Sequence, residues 1–171
     1  MNDDLPVLQA YLTEVRRHVR GILDGLSNEQ LREPMLPSGW SCVGLVNHLA
    51  IDVERFWFRS VMAGERIAWD SFDDDASAWD VDDDISPATV LALYVEEARL
   101  SDEIIATTPL DNAPASWPEE LFGTFRLDNL REIVMHVIIE TSCHAGHLDA
   151  ARELIDRRQW IVLDGGRDAS A

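Results

Sequence analysis

Residues 128–158 read DNLREIVMHVIIETSCHAGHLDAARELIDRR, and this stretch decides the fold of the chain. It contains no Pro and a single Gly, at position 146, so nothing before that point interrupts a helix. At about 100° per residue, its apolar side chains fall on one stripe. The members of the stripe are Ile133, Val137, Leu148, Ala151, Leu154 and Ile155. The stretch therefore predicts one long amphipathic helix.

Four ionisable side chains fall inside the same stripe, where the pattern predicts that they point at the core. They are His136, Glu140, His144 and His147. Burying a carboxylate and several imidazoles is costly unless each is paired or bound to a metal. Glu140 and His144 are four residues apart, so both side chains can reach one ion. The pattern indicates a metal site whose third ligand comes from elsewhere in the chain.

The composition limits the classes of protein and partner. The 171 residues are 46% hydrophobic, which is enough for a buried core, and the length requires only one domain. Asp and Glu total 32 against 14 basic residues, all of them Arg, for a formal charge of −18. This charge repels phosphate backbones and anionic membranes, so we expect no nucleic-acid and no membrane partner. Two cysteines do not make a disulfide framework, and no signal or spanning segment is evident, which favours a cytoplasmic protein.

Start signals and apolar spacing predict three more helices. Together with the last one, they cover residues 5–25, 42–63, 87–108 and 128–157, and residues 69–84 are expected to be irregular. We expect an all-α fold, a four-helix bundle with long crossover connections, in which residues 1–160 form a single domain. Residues 161–171 form a C-terminal tail, and the apolar segment that begins at Trp160 is expected to dock on the bundle.

The second predicted helix offers a candidate third ligand, His48, at the border of its apolar side. A lone His at such a position is more often a hydrogen-bonded structural residue, but the cluster in the last helix favours a ligand. Arg55 and Arg59 lie on the His48 side of the helix and could bind carboxylates of a cosubstrate or substrate. Ion pairs with neighbouring acidic residues are the alternative for both arginines.

Two segments carry a resemblance to a known family. Residues 37–58, PSGWSCVGLVNHLAIDVERFWF, and residues 136–156, HVIIETSCHAGHLDAARELID, resemble the DinB-like superfamily, particularly its actinobacterial branch of mycothiol S-transferases. The shared motifs are Asn-His-Leu-Ala in the second helix, and Glu-x-x-x-His followed by Ala-Gly-His-x-Asp in the last. The resemblance covers nearly the whole chain and implies a DinB-like four-helix bundle that holds a divalent metal in an open site.

The resemblance also implies roles for individual residues. It makes His48, Glu140 and His144 the metal ligands. Glu140 is similar to the Glu of mycothiol-dependent maleylpyruvate isomerases, whereas many relatives have His there. His147 matches a position that is often Gln, so we expect it to contact a ligand without binding the metal. The family often ends the last helix with Asp-Gly, whereas here Arg157 follows Asp156.

An open site with two imidazoles and a carboxylate suits thiol chemistry. We expect Zn²⁺, although such sites also accept Ni²⁺, Fe²⁺ or Mn²⁺. A bound metal can stabilise a low-molecular-weight thiol as the thiolate, which attacks an electrophile. The sequence thus favours a metal-dependent S-transferase with a mycothiol-like thiol cosubstrate and an electrophilic small molecule. The alternative is a non-enzymatic metal- or ligand-binding stress-response module, and the sequence leaves open whether the chain is a homodimer.

Overall fold

A computed structural model describes residues 4–66 and 77–160, and these residues form helices and irregular connections without a strand. The α-helices are α1 (Leu5–Ile22), α2 (Asn28–Arg32), α3 (Cys42–His48), α4 (Pro87–Thr107), α5 (Glu119–Phe122) and α6 (Leu130–Asp156), and a π-helical segment, Leu49–Met62, continues α3. The prediction of an all-α fold is confirmed. Residues 69–76 of the segment predicted to be irregular lie outside the described residues.

Side-chain caps fix where the helices begin. Ser27 and Gln30 form a reciprocal capping box at α2, and the Ser41 hydroxyl accepts from Gly44 N at the start of α3. Ser86 does the same for α4, where it accepts from Thr89 N. The cap of α6 is Asn129, whose side chain accepts from Glu132 N, so the helix begins two residues after the predicted start at position 128. Each cap satisfies a backbone N–H that lacks a partner in the first helical turn.

The segment Leu49–Met62 is a π-helix of 14 residues. Its closing bond, from Ala63 N to Phe58 O at 2.9 Å, spans five residues, whereas an α-helical bond spans four. A face assigned at 100° per residue therefore drifts away from the true face along this segment. Glu54, in the middle of this segment, is fully buried.

Cross-helix contacts give the direction of each long helix. Arg131 pairs with Asp4, His18 bonds Asp149 at 2.8 Å, and Arg152 donates to Ile22 O, so α1 and α6 run parallel. The π-helical segment runs against α6, because His48 contacts His144 while Trp57 contacts His136.

The fourth long helix, α4, runs against α1. Its first turns border a groove with the end of α1, whereas Asp102 near its other end bonds Arg16 at 2.7 Å. The connection of residues 63–86 therefore crosses the length of the fold. The connection of residues 108–129 stays at one end, so only one of the long connections is a crossover. The four long helical segments share one apolar core.

The Asp156-Arg157 sequence, which replaces the Asp-Gly common in the family, forms the end of α6. The helix ends at Asp156 because Arg157 adopts a left-handed conformation, with φ of 65°, and its N–H bonds Glu153 O. Trp160 then docks on α1, where its ring stacks on His18 at 5.2 Å between centroids and lies under Arg17. The docking of Trp160 is thus observed, and the tail of residues 161–171 lies outside the described residues.

Among the described residues, each helix is too short or too polar to cross a bilayer.

Candidate functional site

The C-terminus of α3 and the middle of α6 bring the candidate ligands together. The rings of His48 and His144 meet edge to face with 5.0 Å between their centroids. Glu140 Oε2 lies 3.8 Å from His144 Nε2, one helical turn away. His147 approaches from the other side, with its Nδ1 3.3 Å from His144 Nδ1. His144 is therefore the central residue of the cluster.

The His48 ring is held by two neighbours. Its Nδ1 lies 2.9 Å from Asp52 Oδ2, one turn along the chain. The Trp79 indole stacks on the imidazole face at 4.3 Å between centroids. A carboxylate on one ring nitrogen fixes the tautomer and leaves the other nitrogen, Nε2, as the acceptor, which is the usual arrangement for a metal-binding histidine.

The crossover connection forms one wall of the site. Besides stacking on His48, Trp79 places its ring 5.6 Å from the ring of His144. The backbone next to it is fixed by Asn47, whose side-chain amide donates to Ala78 O at 2.8 Å. Gly44 permits this approach, because a Cβ there would clash with Trp79 O. Trp79 thus packs the described part of this connection against α3.

The surroundings of His144 favour the neutral imidazole. Burial is the largest cause that lowers its pKa, and the nearby His48 and His147 add to the effect, so that the pKa falls to about 4. A neutral imidazole is the form that binds a metal, because a protonated nitrogen has no free lone pair. His144 is therefore ready to act as a ligand at neutral pH without losing a proton.

The site is more open than the sequence pattern predicts. His147 is exposed, and the Glu140 side chain retains 40% of its accessible surface, so these side chains do not point at the core. Leu154, which the pattern also places in the buried stripe, is 55% exposed. The stripe assumed for α6 was too wide, because α1 and the π-helical segment together cover only part of the helix circumference. The edge of the cluster formed by Glu140 and His147 is therefore open to solvent.

The donor set suits a divalent metal, but its atoms are not in coordinating positions. No group of three His, Cys, Asp or Glu side chains within residues 4–66 and 77–160 has the geometry to hold an ion. Ligand atoms at about 2.0–2.1 Å from a tetrahedral zinc lie about 3.4 Å apart. The 3.8 Å between Glu140 Oε2 and His144 Nε2 exceeds this by a few tenths of an ångström. Two imidazoles and a carboxylate are nevertheless the ligand types that zinc accepts.

The two candidate arginines are engaged by acidic side chains. Glu97 of α4, which is buried, accepts from Arg55 at 2.8 Å and 3.0 Å and from Arg59 at 3.2 Å. Arg59 also pairs with Glu65 at 2.7 Å. These are the ion pairs that the sequence analysis gave as the alternative to ligand binding. The buried carboxylate needs the two cations, so the arrangement stabilises the contact between α4 and the π-helical segment.

A cluster of aromatic rings lies next to the site and was missed by the sequence analysis. The His136 ring lies one turn before Glu140 and packs on Trp57 at 4.6 Å and on Phe125 at 5.8 Å between centroids. Burial lowers the pKa of His136, and Glu140 opposes this shift. Phe122 stacks on Trp57 at 5.3 Å. The rings come from three parts of the chain, so spacing along the sequence gives no signal for them.

Comparison with known proteins places the chain in a family. The family model described as Mycothiol-S-transferase matches residues 7–157. The chain belongs to the mycothiol-S-transferase family. The match spans all four long helical segments and stops one residue after the end of α6. No curated protein and no solved structure matches the chain.

Of the two cysteines of this mycothiol-S-transferase family member, Cys42 is buried and Cys143 is exposed. Burial raises the pKa of Cys42 to about 11, so its thiol stays protonated at neutral pH and is a poor nucleophile. Cys143 is exposed and precedes His144 directly, on the outer side of α6. The family description names mycothiol as the thiol, and the protonated thiol of Cys42 is not a competing nucleophile.

Proposed function

We propose that this protein is an S-transferase that joins the sulfur of mycothiol to an electrophilic small molecule, with His48, Glu140 and His144 binding a divalent metal. The observation that carries the proposal is the meeting of His48 and His144 from two helices, 5.0 Å between ring centroids, inside a chain of this family. We propose Zn²⁺ as the metal, because imidazole and carboxylate ligands suit it. A metal bound there would lower the pKa of a coordinated thiol.

Residues around the ligands prepare the site for this chemistry. Asp52 Oδ2 lies 2.9 Å from His48 Nδ1, and a proton held between them would leave Nε2 free to bind the metal. The low pKa of His144 keeps its ring unprotonated, and His147, 3.3 Å away, fixes its orientation. Trp79 covers one side of both rings and excludes water there. The half-exposed Glu140 leaves the opposite edge open for the thiol and the electrophile.

The electrophile is defined by class. With an alkylating compound, the sulfur would form a bond to carbon while the leaving group departs with the bonding electrons and the thiol proton passes to solvent. With an unsaturated acid, the sulfur would add to one carbon of the double bond and the other carbon would take up a proton. Because Glu97 and Glu65 already match the charges of Arg55 and Arg59, this proposal gives these two arginines a structural role.

The test combines metal analysis with a thiol assay. We expect the purified protein to carry about one metal ion per chain and to consume mycothiol in the presence of a generic alkylating electrophile. His144→Ala should lose both the metal and the activity, whereas His18→Ala, a histidine outside the cluster, should keep them. His147→Ala should lower metal affinity or activity by about 10–100-fold, as expected for a residue that orients a ligand.

Two outcomes would contradict the proposal in different ways. Unchanged metal content in His48→Ala, Glu140→Ala and His144→Ala would exclude the ligand set. Metal lost in these variants, together with no thiol consumption by the unaltered protein, would favour the non-enzymatic binding module.

A further inference from the structure

A groove runs between α1 and α4, and its lining residues are separate from the histidine cluster. Its larger part, a cavity of about 640 Å³, lies between the end of α1, α2 and the first turns of α4. Its smaller part, of about 210 Å³, lies farther along the same two long helices. Arg20 and Val95 line both parts, so the two parts are continuous. Below we call them the α1/α4 groove.

The larger part of the groove has mostly apolar walls. Leu31 of α2 and Leu91 of α4 line it, and so does the ring of Trp160. Trp160 can lie against α1 because Gly21 has no side chain, whereas a Cβ there would lie 2.2 Å from the indole ring. These walls suit the apolar part of a ligand.

The smaller part of the groove contains a buried hydroxyl. Tyr94 lines this part and is 1% exposed, and within the described part of the chain its hydroxyl oxygen has no hydrogen-bond partner. Burial is the largest cause that raises the pKa of Tyr94, and Glu54 adds to it. The charges of Arg16 and Arg20 oppose the rise, so the hydroxyl lies near both arginines. Buried hydroxyls rarely stay unpartnered, because the hydrogen bonds lost with water are then not replaced.

Arg20 is the cation of the groove that is available to a ligand. Among the described residues, its guanidinium makes no hydrogen bond or ion pair. Asp24, four residues later, lines only the larger part and does not pair with it. The other arginines that line the groove are each matched by carboxylates: Arg16 by Glu54 and Asp102, Arg17 by Glu14, and Arg99 by Glu96 and Glu103.

These groups together suit an amphipathic acid. A carboxylate in the smaller part would accept hydrogen bonds from Arg20 and from the Tyr94 hydroxyl. An apolar chain attached to it would pass Val95 and enter the larger part. We propose that the α1/α4 groove binds a small carboxylic acid with an apolar chain, held by Arg20 and Tyr94 at one end and by the leucine walls and Trp160 at the other. Apolar walls with a few convergent polar groups are the usual composition of a small-molecule site.

The charges and dimensions of the groove disfavour other ligands. A cation would be repelled by Arg20, and an uncharged apolar molecule would remove water from Arg20 without giving it a partner. A polyanion would meet one available cation and a chain with a formal charge of −18. At 1.5 Å per residue, Ala88 and Ala98 at the two ends of the groove lie about 15 Å apart along α4, which suits a medium-length chain.

The first test compares a carboxylate with its uncharged amide. In isothermal titration calorimetry of the full chain, octanoate should bind more tightly than octanamide. Arg20→Gln should weaken octanoate by about 10–100-fold, because a charge-assisted hydrogen bond is lost, and should change octanamide little. Arg126→Gln is the matched control. It makes the same change in charge at a side chain that is 49% exposed outside the groove, and it should bind octanoate normally.

The second test separates ligand binding from a structural role of the tyrosine hydroxyl. Tyr94→Phe keeps the ring and removes the oxygen, so it should weaken octanoate by about 3–10-fold. The Tm of the ligand-free variant should equal or exceed that of the unaltered protein, because the substitution removes a buried group without a partner. A hydroxyl with a purely structural role would give the reverse, a lower Tm and unchanged octanoate affinity.

The third test excludes the histidine cluster as the binding place. Carboxylates also bind metal ions, so octanoate could bind at the cluster and give a false signal. His144→Ala, which the proposed function expects to lose the metal, should bind octanoate as tightly as the unaltered protein does. The groove and the proposed function can therefore fail separately.

Several results would overturn the proposal. They are an unaltered protein that does not bind octanoate at millimolar concentration, equal affinity for octanoate and octanamide, and loss of octanoate binding in His144→Ala. A lower Tm of Tyr94→Phe with unchanged octanoate affinity would do the same. If Arg20→Gln lost its helical circular dichroism, Val95→Trp would replace it. This variant fills the groove where its two parts join, so it should also weaken octanoate, and unchanged affinity would contradict the proposal.

Discussion

His144 is the residue whose protonation its surroundings control most strongly within the site. Burial, followed by the nearby His48 and His147, lowers its pKa to about 4 from an ordinary value of 6.5. Between these two values the unfolded chain binds more protons than the folded chain, so the free energy of unfolding of the metal-free protein should decrease as pH falls through this range. The decrease attributable to His144 is at most about 3 kcal/mol.

Urea unfolding of the metal-free protein at pH 7 and pH 5 would measure this effect. His144→Gln removes the titrating group and should reduce the difference in stability between the two pH values. An equal difference in the variant and in the unaltered protein would show that other groups cause it.

Arg157 offers a second prediction for a single residue. Its φ of 65° costs a residue with a Cβ about 1–2 kcal/mol, whereas Gly adopts this conformation freely. Arg157→Gly should therefore raise the free energy of unfolding by about 1 kcal/mol, which corresponds to about 2–4 °C in Tm at this length. Arg158→Gly is the control. It removes an ion pair with Asp156 and relieves no strain, so a similar gain in both variants would contradict the argument.

The single residues that could be predicted are those marked by a motif or by helical spacing in the sequence. The family motifs and the four-residue spacing named His48, Glu140 and His144, and the structure brings the two histidines into contact. Asp52 lies four residues after His48, a spacing at which two helical side chains can meet, but the stack of Trp79 on the His48 ring has no such signal. That contact depends on the path of the crossover connection, which no spacing along the chain encodes.

At the scale of elements, the contact between the crossover connection and α3 depends on Gly44. A Cβ at Gly44 would meet the backbone oxygen of Trp79, which cannot rotate away as a side chain could. Gly44→Ala should therefore cost about 1–3 kcal/mol of stability and move Trp79 away from His48. Chemical denaturation with tryptophan fluorescence would detect both changes.

Gly146→Ala is the control with the opposite sign. Gly146 is also helical, but a Cβ there meets nothing within 4 Å. The substitution should stabilise α6 by about 0.5–1 kcal/mol, because Ala loses less conformational entropy on folding. If both substitutions destabilised the protein, the loss at Gly44 could not be attributed to a clash between the new Cβ and Trp79 O.

The helices were predictable as elements, whereas one feature of them was not. Capping serines, Pro87 and apolar spacing located all four long segments to within a few residues. The π-helical geometry of Leu49–Met62 has no such signal in the sequence.

For the whole molecule, the buried pair of Arg16 and Glu54 joins three of the four long segments. Arg16 on α1 donates to both oxygens of Glu54 at 2.6 Å and also bonds Asp102 on α4. Removing one partner of a buried pair costs about 3–5 kcal/mol, because a charge remains in the interior without compensation. Arg16→Met should cost more than Glu54→Leu, since Arg16 retains Asp102, whereas Glu54 has no second cation among the described residues.

A double-mutant cycle would measure this coupling. The variant with both substitutions should be more stable than the sum of the two single losses predicts, because it leaves no unpaired buried charge. Additive losses in urea unfolding would show that the pair does not act as a unit.

The parallel arrangement of α1 and α6 also has a consequence for synthesis of the chain. The two helices share a core contact although their residues are about 130 positions apart, as the bond between His18 and Asp149 shows. At about 5–20 residues per second, the ribosome needs roughly 7–26 s to make the residues that separate them. Throughout that interval the apolar side of α1 has no α6 to cover it. The nascent chain therefore exposes the apolar side of α1 until its last long segment emerges, and aggregation through α1 is most favoured during this period.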